Sequence, residues 1–497
     1  MYHISDLKKF IRCPRLYVND TLQTKKNFQP FVRLDEELST LVSQKLKVDG
    51  KVFVGNKGDD ASLAIEAMKE CDWLIKARFE YQQLRVKIPF LHRTNKGLDI
   101  YFLYVGLYPH ADDMTLYCDD IWVLKNLGIE INQMYIVHLN ANYVREETLD
   151  VEQLFVVSDS LYNGKNNPTI TLKEAVKKKY KDITPILQAM DEQRDTIPEA
   201  VLTNKCTTRQ KCPYFDACFP YIQKEPDNSI LTLIASQHKH AMKEEGILYL
   251  KDADINRVEG TRQQFAQIRA DQLGGLYVDQ YALSAWLEQI QYPICFLDFE
   301  WERFAIPPYK GMKPYDVLPF EYSIHILEKD GTITHKVYLN IQDDRLDMTQ
   351  NLVKDIPETG SIIAYNAFGA ETIRIAELAK QFPQYASQLL HMNERMEDLQ
   401  LVFENGTVYD TRMKGQWSLK VIMAMMNDKS YKDLDIAQGM EAVFQWRHLD
   451  THDETVDKDK IVEDLKKYCG MDSYAMTVVY KWLLQLKNEK NETIDIQ

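Results

Sequence analysis

Near residue 300 the sequence sets two carboxylates two residues apart at the end of an apolar run, Ile294-Cys-Phe-Leu-Asp298-Phe-Glu300. Such a run reads as a buried strand, in which residues i and i+2 face the same side. Asp298 and Glu300 therefore project together, in a place where bare carboxylates are costly unless a cation meets them. Far downstream, Tyr468-Cys-Gly-Met-Asp472 lies in a strongly helical segment. Its i,i+4 spacing puts a phenol and a carboxylate on one helix face. Asp-x-Glu alone is common surface charge; joined to Tyr-x3-Asp in this order it points to a cation site. A second set of chemistry-bearing residues is sulfur: Cys206, Cys212 and Cys218 stand as Cys-x5-Cys-x5-Cys, while Cys71, Cys118, Cys295 and Cys469 stand alone.

These residues need elements to hold them, and 497 residues are too many for one core. Residues 1–225 mix helical and strand patterns and end in the cysteine cluster. A turn-rich break at Glu225-Pro-Asp-Asn-Ser opens a mainly helical region over 226–290. From Tyr292 strand and helix patterns alternate over 291–488, predicting an α/β domain. Within it Ser361-Ile-Ile-Ala-Tyr-Asn366 reads as another buried strand running into a helix around Glu371. In the middle region Glu244-Glu-Gly246-Ile-Leu-Tyr faintly resembles a helix–hairpin–helix turn, although a structural linker reads the same way.

Composition excludes some roles. No apolar leader opens the chain, and no uninterrupted apolar stretch reaches the ~18 residues of a membrane span, so a cytoplasmic protein is expected. The net charge is −14, and residues 291–497 hold 34 Asp and Glu against 23 Lys and Arg, an excess of 11. That balance opposes passive coating of nucleic acid by bulk charge. It does not exclude an enzyme whose carboxylates hold cations, which invert the local field. Eight cysteines in a cytoplasmic chain do not imply a disulfide framework.

The order Asp298-x-Glu300, Tyr365-Asn366, Tyr468-x3-Asp472 resembles the DEDD (DnaQ-like) 3′→5′ exonucleases, in the branch with Tyr in the last motif. The resemblance implies an RNase H-like domain holding two Mg²⁺ or Mn²⁺ ions with four acidic residues, Asp298, Glu300, Glu371 and Asp472. Tyr468 would orient the attacking water. In-line attack on a phosphodiester calls for two such ions, and hard cations call for carboxylates. The second acid departs from the pattern. Asn366 is followed by Ala-Phe-Gly-Ala-Glu371, which puts the carboxylate one residue late, about 100° around a helix. Either Gly369 absorbs an insertion and Glu371 still reaches the ions, or a ligand is lost. Asp398 matches a position where relatives carry an acid, and reads equally as a cap.

The resemblance extends further. Phe296-Leu-Asp-Phe-Glu, Ile306-Pro-Pro-Tyr, Pro319-Phe-Glu-Tyr-Ser-Ile-His325, Met413-Lys-Gly-Gln-Trp-Ser-Leu-Lys420 and Tyr431 to Ala442 are similar to an uncharacterised bacterial family. That family fuses a RecB-like region to a DEDD domain. In that setting Lys414 and Lys420 are candidate phosphate contacts, or solvated surface.

The opening Ser5-Asp-Leu-Lys-Lys-Phe-Ile-Arg-Cys13-Pro-Arg-Leu-Tyr17 resembles RecB-like, CRISPR-associated iron–sulfur nucleases. This implies that Cys13 joins Cys206, Cys212 and Cys218 around a [4Fe–4S] cluster. By ligand type Zn²⁺ suits four thiolates equally, and four ordinary reduced cysteines are the plain alternative. The catalytic residues of such nucleases are missing. Where Glu-x-Lys would stand the chain has Tyr104-Val105-Gly106, and no Gln occurs from Tyr108 to Leu127. Asp112, Asp113, Asp119 and Asp120 fall in the loop and helix beyond. His138-Leu-Asn-Ala-Asn-Tyr-Val144 still resembles the family. The expectation is therefore a degenerate PD-(D/E)XK-like N-terminal domain, a helical middle region and an RNase H-like C-terminal domain. The expected function is a metal-dependent exonuclease on DNA or RNA 3′ ends, in repair or defence. The rival is a catalytically decayed nucleic-acid-binding or scaffold protein, and a third option is an enzyme subunit that needs a protein partner.

Overall fold

The computed structural model describes residues 1–22, 35–111, 115–194, 196–206, 211–426, 431, 434–436, 439–449 and 455–488. Asp112 and Asp113 lie outside them. The chain is mixed α/β and divides into two units, residues 1–223 with 304–316, and residues 224–303 with 317–497. Among the described residues no helix is long and apolar enough to cross a membrane.

In the first unit a seven-stranded sheet runs in the order Val52–Val54, Trp73–Tyr81, Leu84–Thr94, Gly97–Tyr104, Ile131–Leu139, Phe155–Ser158, with Tyr2–His3 added beside Leu84–Thr94. The alternation of the Trp73–Tyr81 and Leu84–Thr94 strands buries Ala77, Phe79, Val86 and Ile88 in one core with Trp122 and Val123 of the helix Thr115–Asn126. The two ends of the unit meet. Arg15 donates to the Pro198 carbonyl (2.6 Å), Arg12 to the Lys205 carbonyl (3.1 Å), and the Tyr214 hydroxyl to Asp20 (3.1 Å). Residues 304–316 pack here too: Ala305 and Ile306 join Trp73, Phe90 and Leu154 in a second core.

The helical region 226–290 belongs to the second unit rather than forming a third. Its own core is small, built on Ile230, Leu233, Met242 and Leu250. It is tied instead to later residues: the strand Leu276–Val278 pairs antiparallel with Val408–Asp410, and buried Gln267 donates to the Tyr409 hydroxyl at 3.0 Å.

The rest of the second unit is a five-stranded sheet, β1 (Ile294–Arg303), β2 (Val317–Leu327), β3 (Ile333–Leu339), β4 (Ile362–Ala364) and β5 (Met396–Asp398), ordered β3-β2-β1-β4-β5. β2 is antiparallel to both neighbours, whereas β4 and β5 run parallel to β1. One face carries Cys295, Leu297, Phe299, Tyr322, Ile324 and Ile326 onto the helices α1 (Arg345–Asp355) and α2 (Glu371–Gln381) and the helix Ala386–Glu394. The other face lies under a 31-residue helix (Lys458–Asn488). Its buried stripe, Ile461, Leu465, Tyr468, Cys469, Asp472, Met476 and Val479, recurs at three- and four-residue intervals. We label the short helix Leu419–Met425 α3 and the long one α4.

Candidate metal centre

β1 is the switch point of its sheet, with an antiparallel neighbour on one side and a parallel one on the other. Because period two sends Leu297 and Phe299 to the helical core, Asp298 and Glu300 face α4. The register shifts between Glu300 and Trp301, where Phe320 is the extra residue on β2 and Pro319, which has no N–H to offer, takes the next pairing. Bulges of this kind re-aim side chains beside functional sites. From above, α4 brings Tyr468 and Asp472 down one face, one helical turn apart.

Together these elements bring Asp298, Glu300 and Asp472 so close that one ligand atom of each lies within 4.8 Å of the others. Burial pushes the Asp298 and Glu300 carboxyls well above their usual range, and the Asp472 charge pushes both further. Burial raises Asp472 as well, but hydrogen bonds from Tyr431 and Tyr468 and the charge of Lys420 restrain it. Three acids set together, Glu300 and Asp472 buried and Asp298 half-buried, repel one another; a divalent cation would supply the missing charge. The donor set is all oxygen, which suits Mg²⁺ or Mn²⁺.

The surrounding residues orient the set. Lys420 on α3 donates to the Tyr468 hydroxyl at 3.0 Å, and its ammonium lies 5.1 Å and 4.9 Å from the Tyr431 and Tyr468 ring centres. The Tyr431 hydroxyl donates to Asp472 Oδ1 at 2.5 Å. The Cys469 thiol donates to Asp298 Oδ2 at 3.4 Å. Tyr431 and Cys469 had no role in the sequence reading. Cys469 sits between the two motif residues of α4, but nothing in a single sequence says that a loop tyrosine folds back onto Asp472.

Glu371 begins α2 and is buried, with Oε2 lacking a hydrogen-bond partner. Burial holds its carboxyl at about 8. It raises the carboxyls of Asp298 and Glu300, so it lies near them, yet it stands outside the 4.8 Å group. The residue before its turn is strained to fit: Asn366 has φ +64°, and a Cβ on Gly369 would fall 2.3 Å from the Asn366 side-chain oxygen. Asn366, Ala367, Phe368, Gly369 and Ala370 thus form a tight turn closed by N–H groups of Gly369 and Ala370 on the Asn366 carbonyl, each at 3.0 Å. Asp398 ends β5 and spends its carboxylate on backbone N–H groups of Asn366 (3.0 Å), Phe368 (3.4 Å) and Gln400 (2.9 Å). It is a staple for that turn. Lys414 is not brought to the acids by any contact; it pairs with Asp227 at 2.9 Å.

In the first unit Cys13, Cys206, Cys212 and Cys218 line a single cavity together with Arg12 and Arg15. No three of their Sγ atoms lie within 4.8 Å of one another among the described residues. Four thiolates on one Zn²⁺ would stand about 3.8 Å apart, given Zn–S bonds of about 2.3 Å. At the end of the Gly97–Tyr104 strand, Val105 is exposed, and a Cβ on Gly106 would fall 2.4 Å from the Tyr104 ring. Asp119 and Asp120 ride the helix Thr115–Asn126. Burial lifts Asp119 to about 6 and leaves one Asp120 oxygen unpartnered. Neither belongs to a group with metal-ligand spacing among the described residues.

No curated protein and no solved structure matches this chain. Residues 295–418 match the model of a family described as a domain of unknown function, DUF2779, a span that takes in Asp298, Glu300, Glu371 and Asp398 and stops short of Lys420, Tyr468 and Asp472.

Proposed function

We propose that this chain is a divalent-metal-dependent exonuclease that removes nucleotides from nucleic-acid 3′ ends, with an RNase H-like DEDD domain over residues 291–488. The observation that carries the proposal is the Asp298, Glu300 and Asp472 set, with ligand atoms within 4.8 Å between the central strand β1 and α4. Two cations bound there would neutralise the phosphate and activate water. Glu371, at the start of α2 and outside the 4.8 Å group, would be the fourth acid of the set. Tyr468 positions the attacking water through its hydroxyl, which Lys420 holds by a 3.0 Å hydrogen bond.

For the first unit we propose a RecB-like, PD-(D/E)XK-like fold without catalysis, since Tyr104-Val105-Gly106 can supply neither metal ligation nor a lysine charge. A [4Fe–4S] cluster on Cys13, Cys206, Cys212 and Cys218 is supported by the four thiols lining one cavity. The second reading, a nucleic-acid-binding scaffold with both sites decayed, is favoured by the place of Glu371 outside the 4.8 Å group.

The deciding experiment uses purified protein, Mn²⁺ and end-labelled single- and double-stranded DNA and RNA. Stepwise shortening by wild type and none by Asp298→Ala is expected. No degradation by wild type, or equal degradation by Asp298→Ala, would leave the scaffold reading. Protein purified without oxygen should be brown and carry iron and sulfide, and Cys13→Ser should bleach it; a colourless zinc protein would refute the cluster.

A further inference from the structure

β2 carries one more acid that the exonuclease reading does not use. Glu321 is fully buried, and neither of its side-chain oxygens has a hydrogen-bond partner. Burying a carboxyl group without partners is among the costlier things a fold can do, and a native structure that does it calls for an explanation.

The register says where this side chain points. Glu321 is the direct cross-strand partner of Glu300, as Ser323 is of Asp298. Residues opposite one another in an antiparallel pair share a face, with Cβ atoms about 5 Å apart. The intervening Tyr322 goes to the helical core on the other side. Glu321 therefore faces α4, on the same side as Asp298, Glu300, Cys469 and Asp472. Its neighbour Ser323 is saturated there by Ser473 (2.7 Å) and His335 (2.9 Å). Glu321 has no such partner. Lys466 of α4 acts on it through space and makes no hydrogen bond to it. The bulge immediately beyond the Glu300–Glu321 pair fixes the angle at which both leave the sheet.

One ion accounts for the three acids within 4.8 Å. Two ions in a phosphodiester site stand about 3.5–4 Å apart, so ligands of the second need not fall in that group. We propose that Glu321 is a further carboxylate of the cation centre, facing Glu300 across β1 and β2 and holding a second divalent ion with it. This rests on the reading of Asp298, Glu300 and Asp472 as a cation site, and not on which substrate is cut.

The test counts bound Mn²⁺ by the loss of the free-ion electron paramagnetic resonance signal, on the full chain, without substrate. Wild type should bind two ions. Glu321→Gln, which keeps the shape and removes the charge, should lose one of them or weaken it at least tenfold, and Glu321→Asp should lie between. Wild-type stoichiometry and affinity in Glu321→Gln would overturn the proposal. If Glu321→Gln fails to fold, a wild-type titration by Glu321→Asp overturns it equally. A wild type that binds no Mn²⁺ removes both this proposal and the nuclease reading. Loss of one ion in Glu321→Gln, from a protein that degrades no nucleic acid, would uphold Glu321 as a ligand and sink the nuclease reading alone.

Discussion

Two strands in this molecule end where chemistry could sit. β1 carries Asp298 and Glu300 beneath a helix bearing Tyr468 and Asp472, and the ligand atoms of three acids converge. The Gly97–Tyr104 strand ends in Tyr-Val-Gly, where a Tyr104 ring fills the space that a side chain at Gly106 would need. Both strands are central, well packed and flanked by a parallel neighbour. The difference between them is confined to a handful of side chains. A mixed sheet supplies the ledge; whether the ledge holds a cation depends on which residues stand at its rim.

The largest effect after loss of a metal ligand is expected at Tyr468. Tyr468→Phe should lower kcat by about a hundredfold, the scale of one positioned proton-handling group, while Mn²⁺ binding stays as in wild type. A parallel loss of Mn²⁺ affinity would make Tyr468 a support for Asp472 instead. Next is a pH effect from the buried acids. Burial raises Glu371 and Glu321 from an ordinary 4.5 to about 8. A carboxyl that holds its proton more tightly when folded contributes stability that is complete below 4.5 and is lost as pH rises through about 8. The melting temperature of the metal-free protein should therefore fall by a few degrees from pH 5 to pH 8.5. Added Mg²⁺ should restore it most at the high end, because the ligands must be deprotonated to bind. A melting curve flat across that range, or rising with pH, would contradict the burial of these two acids as neutral groups. The smallest effect belongs to the other ledge: Tyr104→Phe should leave nuclease activity within about twofold, as surface-like changes away from a site do. A large drop would mean that the first unit takes part in catalysis.

The features legible in the sequence were those written in short periods. Asp-x-Glu on an apolar strand and Tyr-x3-Asp on a helix each fix a shared face from local geometry alone. The four cysteines were grouped through a likeness at the chain's start, and they do line one cavity. What stayed hidden depends on register or on distant pairing. Glu321 reads as an ordinary strand residue until it is known to stand opposite Glu300. Tyr431 reaches Asp472 from 41 residues away. The middle region looked separate because the partner of the Leu276–Val278 strand lies some 130 residues downstream, at Val408–Asp410. Asp398 carries the same carboxylate whether it binds an ion or caps a turn; only its three backbone donors decide.

The central claim is that Asp298, Glu300 and Asp472 are ligands of a divalent cation. Crystals soaked in Mn²⁺ and measured at the manganese absorption edge test it in one map. The account predicts an anomalous peak within bonding distance of all three carboxylates, and its loss in Asp298→Asn. A folded protein that shows no peak there, with the three side chains unmoved and satisfied by other partners, would contradict it.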